Sequence, residues 1–393
     1  MGRALNIGMV AGEASGDLLG AALIQALRER LPETRFTGLA GEHMRAAGCE
    51  ALGDAAELAV MGLVEPLVHL PRLLRLRARL QREFARRRID LFVGVDAPAF
   101  NLRLARMLRA RGFTTAQYVS PQVWAWRRGR VKSIARAVDA VLCLLPFEPG
   151  CYAGQPVRAE FVGHPLADRI PLGSERSSAR RSLGLAEHEQ VVAVLPGSRE
   201  GEVRRLGSDF AAATVLLQQR LGRPLRFIAP MVSPALEKLF ATQLQAAGAN
   251  VRLVSGKADL VLAAADAGLI ASGTATLQAL LHGLPMVVAY RLAPLTAFIV
   301  RDLGLVRLPY FSLPNLLGGE PLVREFFQDQ VQPGALAEAL HSALIDLPRR
   351  DALQVRYREI HEQLRRGGAG RAAQILLELL PPTDASAQVS CAR

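Results

Sequence analysis

The sequence predicts an α/β fold with parallel sheets, divided between two domains. Three observations carry this. The chain has 393 residues, 50% of them hydrophobic and 21% charged, enough for a substantial core and long for a single domain. Short apolar runs alternate along it with segments of helical spacing. Two of those runs end in turns of small residues suited to an anion, Pro196-Gly197-Ser198-Arg199 and Ser272-Gly273-Thr274. There is no internal repeat, and the one low-complexity tract is a polar tail after Pro382.

In chain order, Leu5 to Ala11 reads as a strand, Gly12 to Asp17 as a glycine-rich turn and Leu18 to Leu27 as a helix. The turn has the look of a phosphate loop but carries two carboxylates, which oppose a diphosphate. Glu13, Ser15 and Asp17 are left to hydrogen-bond sugar hydroxyls or to order the loop. Asp17 equally suits a plain charge near a helix N-terminus.

Leu67 to Arg88 concentrates the excess positive charge, with eight arginines from Arg72 onward interleaved with leucines and Phe84; the whole chain is +12. Such a helix either lies on an anionic membrane or packs on its own domain with a solvated arginine face. No nucleic-acid-binding pattern accompanies the charge, so nucleic acid is not expected as a partner.

Asp90 to Asp96 reads as a buried strand ending in an acid, followed by Ala97 to Asn101 and a helix from Leu102. Strand carboxyl ends are where open α/β sheets gather ligands. Asp96 there suits either a general base on an attacking hydroxyl or an Asx-turn within its own loop. Gln117 to Arg130 holds both tryptophans, Trp124 and Trp126, just before Arg127, Arg128 and Arg130. Indole faces suit sugar rings and guanidinium groups suit phosphate, while packing against the core is the competing role. His164 follows an apolar strand, placed either to bond a ligand or to hold backbone.

Val191 to Leu195 is a β-branched strand feeding Gly197, Ser198 and Arg199. Glycine permits close backbone approach, and arginine can fork onto phosphate oxygens. Ala267 to Ala271 is a second strand of this kind. Ser272-Gly273-Thr274 then starts a helix whose free N–H groups face an anion, and Gly283 and Pro285 end it before Met286. Two such turns on neighbouring strands suit a diphosphate. Neither has P-loop or dinucleotide-fold spacing.

Cys49, Cys143, Cys151 and Cys391 show no zinc-type spacing, so a reduced cytosolic protein is expected. No sustained apolar stretch precedes Glu13 and Asp17, which argues against a signal peptide. Apolar runs fall well short of the roughly 20 residues that span a bilayer.

These residues together resemble the lipid-A-disaccharide synthase family of inverting glycosyltransferases. The resemblance rests on GEASGD at 12–17, MGLVEPL at 61–67, DAPAFN at 96–101, YVSPQVWAWR at 118–127, LPFE at 145–148 and GHPLAD at 163–168. It continues through LPGSR at 195–199 with Glu202-Val203, SGTATL at 272–277, PMVVAYR at 285–291 and SLPNLL at 312–317, in family order over nearly the whole chain. It implies a GT-B architecture, two Rossmann-like parallel-sheet domains facing across a cleft. The expected divisions are 1–168 for an acceptor- and lipid-binding domain, 169–350 for a UDP-sugar domain, 351–381 for helices returning to the first domain or exchanged with a partner, and 382–393 for a tail.

The resemblance further implies transfer from UDP-2,3-diacylglucosamine to 2,3-diacylglucosamine 1-phosphate at the cytoplasmic face of the inner membrane, with no cofactor. It makes Asp96 the base on the acceptor 6-hydroxyl and Arg199 the diphosphate clamp, with Ser198, Ser272, Gly273 and Thr274 around the phosphates and Asn315 at the UDP site. Ser120, Trp124, Trp126, Arg127, His164 and Gly197 complete the candidate substrate contacts. Some family members form dimers that exchange carboxyl-terminal segments, so a homodimer is one expectation. A UDP-N-acetylglucosamine epimerase-like isomerase of the same architecture is the rival.

Two departures stand out. Gln278 occupies a position where the family usually has a glutamate that accepts ribose hydroxyl bonds, so weaker ribose binding is expected rather than lost activity. Ala99 replaces a second aspartate common among relatives, leaving Asp96 the sole acid of its loop. Independently of the family, no Asp-x-Asp pair occurs, so charge on departing UDP must be met by Arg199 and helix N-termini, and no metal is expected.

Overall fold

The computed structural model describes residues 4–58, 70–124, 128–173, 175–292 and 309–381. Contacts divide the chain into two compact units, Met1–Asp168 with Leu364–Arg393, and Arg169–Gln363.

The first unit is built on seven parallel strands: β1 (Asn6–Ala11), β2 (Arg35–Ala40), β3 (Cys49–Asp54), β4 (Leu91–Val95), β5 (Thr114–Tyr118), β6 (Ala140–Cys143) and β7 (Arg158–Phe161). Their order is β3-β2-β1-β4-β5-β6-β7, so the winding reverses between β1 and β4. The second unit has six: β8 (Val191–Leu195), β9 (Arg226–Met231), β10 (Val251–Ser255), β11 (Ala267–Ala271), β12 (Met286–Tyr290) and β13 (Arg324–Phe327). In the order β10-β9-β8-β11-β12-β13 they reverse between β8 and β11. Each unit is thus a doubly wound, Rossmann-like sheet. β4, β8 and β11 are buried at every residue. Strands covered by helices on both faces need such unbroken apolar runs rather than alternation.

Register is tied by acids just ahead of strands. Asp90 accepts from the Asn6 N–H at 2.8 Å, Asp139 from Thr115 at 2.9 Å and Asp266 from Val191 at 2.9 Å. Each joins the start of one strand to the start of its neighbour. Asp266 is in turn held by the fully buried Arg180, whose guanidinium also donates to the carbonyls of Ala264, Ala186, Glu187 and Glu189.

The helix over Ala14–Arg30 starts four residues earlier than its apolar spacing suggests. The helix after β4 likewise starts at Pro98, not Leu102. Proline at a first helical position carries the required φ and no N–H to leave unpaired.

The described part of the arginine-rich segment is a helix, Leu70–Arg86. Leu76, Leu80 and Phe84 enter the first unit's core, Arg77 lies 5.0 Å over the Phe100 ring and Arg87 makes a bidentate pair with Glu50. Leu70 and Leu74 are exposed. Positions 67–69 and the MGLVEPL stretch lie outside the described residues.

The C-terminal region divides at 363/364 rather than at 350/351. The helix Leu347–Leu364 is bound into the second unit, with Tyr357 and Ile360 buried and His361 Nε2 at 3.1 Å from the Ile170 carbonyl. The helix Gly368–Glu378 belongs to the first. Asp168 accepts the Gly367 and Gly368 N–H groups at its start, and Ala372, Ala373, Ile375 and Leu376 join the core of β1 and β4. The 382–393 tail and Cys391 lie outside the described residues.

Candidate active site

Ligands of doubly wound sheets collect outside the carboxyl ends of the strands flanking the reversal. In the first unit those are β1 and β4. Gly12 follows β1, and a Cβ placed on it would lie 2.3 Å from Ala97 Cβ. The two strand-end loops are therefore packed on each other, and a Cβ placed on Gly16 would lie 3.6 Å from Asp96 Cβ.

Asp96 and Ala97 have φ of 53° and 40°, and Val119, at the end of β5, has φ of 76°. Left-handed backbone at non-glycine residues costs about 1–2 kcal/mol each, so something must hold it. Two fully buried amides do. Asn101 Nδ2 donates to Asp96 O at 2.8 Å and Val10 O at 3.1 Å, while Gln117 Nε2 donates to Asp96 O at 2.9 Å and Val119 O at 3.3 Å. The Asp96 main chain is pinned from two sides while its carboxyl group stays half-buried at the surface. Burial pushes that carboxyl above its ordinary range, opposed by the Ala97 N–H bonded to it. A bond from the next residue's N–H and a raised carboxyl thus coexist in Asp96.

Other residues singled out in the first unit divide into available and committed. Glu13 and Ser15 are exposed. Asp17, read as a candidate sugar contact, is instead 3% exposed and accepts the N–H groups of Gly41, His43 and Met44 at 2.7, 2.9 and 3.2 Å. Those donors start the short helix Glu42–Ala46, so its charge is used where a helix N-terminus favours it.

Ser120 is 3% exposed, its Oγ donating to the Pro121 carbonyl and lying 2.9 Å from Tyr152 OH. Trp124 donates its indole N–H to Glu148 at 3.2 Å and meets Phe147 edge-on at 5.3 Å. Ser120 is committed to internal bonds, and the half-buried Trp124 spends its N–H on Glu148. Trp126 and Arg127 lie outside the described residues. His164 accepts the Leu166 N–H at Nδ1 and its backbone donates to Leu364 O. Burial lowers its pKa to about 4, so at neutral pH it is an uncharged ring with its proton on Nε2.

In the second unit the reversal falls between β8 and β11, which are hydrogen-bonded neighbours. The two anion-type turns therefore flank one crevice. Gly197 (φ 137°) could not carry a side chain, since a Cβ would come 2.4 Å from Glu202 Cβ. Ser198 and Arg199 are exposed, with 74% of the Arg199 side chain in solvent. Arg199 caps the helix Glu200–Leu221, but Glu202 Oε2 accepts the Ser198 N–H at 2.9 Å and the Arg199 N–H at 3.3 Å. The main-chain donors of this turn are thus occupied by the chain's own carboxylate, leaving the Ser198 hydroxyl and the guanidinium to meet an anion.

Across the crevice, Gly273 (φ 156°) and Thr274 are exposed at the start of the helix Thr274–Leu281. No atom lies within 4 Å of a Cβ built on Gly273, so the approach to those N–H groups is open. Ser272 is half-buried and gives its hydroxyl to Phe311 O at 3.2 Å. Gln278 donates to Asp259 at 3.2 Å, and Asp259 also meets Arg169 at 3.0 Å. Asn315, expected at the nucleotide, is 1% exposed. Its amide bonds Val323 N, Val323 O and Glu325 Oε1, which ties the 312–325 hairpin together.

Asn101, Gln117, Glu148, Glu202 and Asp259 were given no role from the sequence. Gln117 carried a usable signal, an amide inside the buried strand β5 (Thr114–Tyr118). The others are ordinary polar residues on helices or turns whose partners come from elsewhere in the chain. Among the described residues no three His, Cys, Asp or Glu side chains form a metal-binding group, and no helix is long and apolar enough to cross a membrane.

A family model described as lipid-A-disaccharide synthetase matches residues 7–379. Lipid-A-disaccharide synthase of Alkalilimnicola ehrlichii is 49% identical over 378 residues, covering 95% of this chain and 98% of the relative. Among solved structures, Arabidopsis thaliana UGT89C1 complexed with UDP aligns with a TM-score of 0.62 at 17% identity, covering 96% of this chain and all of that one. The UDP-GlcNAc 2-epimerase of Neisseria meningitidis bound to UDP-GlcNAc reaches 0.63 at 12% identity, covering 95% and 99%. These structures share the GT-B fold, which does not itself separate transferase from epimerase.

Proposed function

The chain belongs to the lipid-A-disaccharide synthetase family, a family of glycosyltransferases, and from that premise we propose that it joins UDP-2,3-diacylglucosamine to 2,3-diacylglucosamine 1-phosphate with inversion, giving a β-1,6-linked disaccharide 1-phosphate and UDP. The observation that carries this reading is the pairing of two strand-end sites of opposite character. One, in the first unit, is an elevated acid, Asp96, on a clamped loop; the other, in the second, is a pair of small-residue turns with the exposed guanidinium of Arg199, which makes a long 3.8 Å ion pair with Glu202.

Asp96 accepts the proton of the acceptor 6-hydroxyl as that oxygen attacks the anomeric carbon. A raised pKa makes its carboxylate a better base than an ordinary one. The anomeric carbon passes through oxocarbenium character and the C–O bond to UDP breaks on the opposite face. The negative charge that develops on the diphosphate is met by Arg199, the Ser198 and Thr274 hydroxyls and the N-terminus of the helix Thr274–Leu281. Glu13 and Ser15, exposed in the loop after β1, bond acceptor hydroxyls. The acylated substrates place the reaction at the cytoplasmic face of the inner membrane, where the arginines of the helix Leu70–Arg86 face anionic headgroups.

The test is a mass-spectrometric assay of purified protein with both acylated sugars, scoring disaccharide and UDP together, with the anomeric configuration read by NMR. UDP released without disaccharide, or an α linkage, would sink the proposal. An isomerase would instead alter the UDP-sugar with no second substrate present.

A further inference from the structure

Glu148 is a buried acid for which the chemistry above has no use. It lies in the turn after β6, and β6 follows β4 and β5 in the sheet, so it stands at the same carboxyl edge as Asp96. It is 4% exposed. Oε2 accepts the N–H groups of Leu144 and Leu145, both at 3.0 Å, and Oε1 accepts the Trp124 indole N–H at 3.2 Å. Its charge in turn bears on Tyr152 and on the Cys143 thiol, raising both. No cation is among the described groups that set its ionisation, and burial raises its pKa to about 7.

A buried carboxylate met only by neutral donors is costly to keep. An apolar residue would pack the turn without that cost. What an acid adds is a strong, directed acceptor for one side chain from another element, the Trp124 indole. Trp124 ends the 119–124 segment that leaves β5, and that segment begins at Val119, whose carbonyl shares the Gln117 amide with Asp96 O. Tension or slack at Trp124 is thereby passed to the loop that presents Asp96.

We propose that Glu148 is a positioning residue of the transfer reaction: through the Trp124 N–H it fixes the 119–124 segment beside Asp96, and so controls how the acceptor sugar is seated. This rests on the reading of Asp96 as the acceptor's base. Ionised Glu148 holds the indole. Protonation of Oε1 removes that acceptor and releases the segment.

The test compares Glu148→Gln, Trp124→Phe, the double variant and Asp96→Asn in steady-state kinetics with each substrate varied, alongside calorimetric UDP binding. Each of the first two should lower kcat/KM for the acceptor by about tenfold or more. The double variant should be no worse than either single one, because one hydrogen bond is removed in all three. UDP affinity should be unchanged. The wild-type acceptor profile should carry an acidic limb with a midpoint near 7, absent in Glu148→Gln and Trp124→Phe alike. Additive losses, equal losses toward both substrates, or a limb with its midpoint still near 7 in both variants would overturn the proposal; a lower limb from Asp96 itself is expected in all of them. If Glu148→Gln fails to fold, Trp124→Phe decides by itself, since it keeps the carboxylate and removes only the donor. Retained turnover in Asp96→Asn would remove the base and leave the acceptor-specific coupling of Glu148 and Trp124 standing or falling on its own data.

Discussion

In the proposed reaction Asp96 and Arg199 carry the two halves, and their environments differ as those tasks do. Asp96 is half-buried on a loop strained into positive φ, whereas Arg199 projects into solvent from a helix start. Replacing Asp96 with Asn should lower kcat by about 10²–10⁴ while UDP binding, followed by calorimetry, stays intact. Arg199→Lys should not restore what Arg199→Ala loses in donor KM, because an ammonium cannot fork onto two phosphate oxygens.

Glu148 and His164 make stability depend on pH in opposite senses. Glu148 moves from 4.5 to about 7 on folding, so the native state holds a proton the unfolded chain has lost, and stability falls as pH rises across that window. His164 moves from 6.5 to about 4. There the unfolded chain holds the extra proton, and stability rises with pH between those values. The two slopes offset from 4.5 to 6.5. Denaturant midpoints should fall steadily from pH 4.5 to 7 in His164→Asn and rise from pH 4 to 6.5 in Glu148→Gln. Identical profiles in the two variants would contradict these assignments.

Strand ends, rather than strands, distinguish the two sheets as elements. Gly94 in β4 faces Asn101 and Gln117, and a Cβ there would lie 2.6 Å from Asn101 Cβ and 2.9 Å from Gln117 Oε1. Gly94→Ala should therefore displace both amides that clamp Asp96. The expected result is about 1–3 kcal/mol of lost stability by urea titration, with a larger loss of turnover than that destabilisation explains. The pairing of Gln278 with Asp259 belongs to the same scale. A glutamate at 278 would set two like charges against each other, and the amide instead donates to the acid.

For the whole molecule, the formal charge of +12 and the exposed Leu70 and Leu74 bear on where the enzyme works. Sedimentation with anionic vesicles should fall steeply between low and high salt, since exposed charges are screened over about 8 Å at physiological ionic strength. Activity should survive a strong chelator; loss that magnesium restores would show that a metal, not Arg199 and a helix N-terminus, meets the leaving charge. The helix Gly368–Glu378 completes the core of the first unit from the far end of the chain. Leu376→Ala should cost about 2–5 kcal/mol, read as a lowered thermal midpoint.

Much of the fold was legible locally. Strands buried on both faces read as unbroken apolar runs, and glycines and small hydroxyl residues mark the turns that close on helices, so the α/β pairing and the places of both turns follow from the sequence alone. Asp96 and Arg199 stand out for the same reason, each ending a strand in a residue that burial alone would not choose. Whether a polar side chain was free was decided only by tertiary structure. Asp17, Ser120, Trp124 and Asn315 have the chemistry of ligand contacts, yet their partners lie up to 32 residues away in sequence and arrive only when the chain folds back on itself. Hydrogen-bond capacity belongs to a residue, but its satisfaction belongs to the fold. Asp96 is clamped by Asn101 from its own helix and by Gln117 from the next strand, and Glu148 meets Trp124 from 24 residues away; those distant partners are what no local window contains.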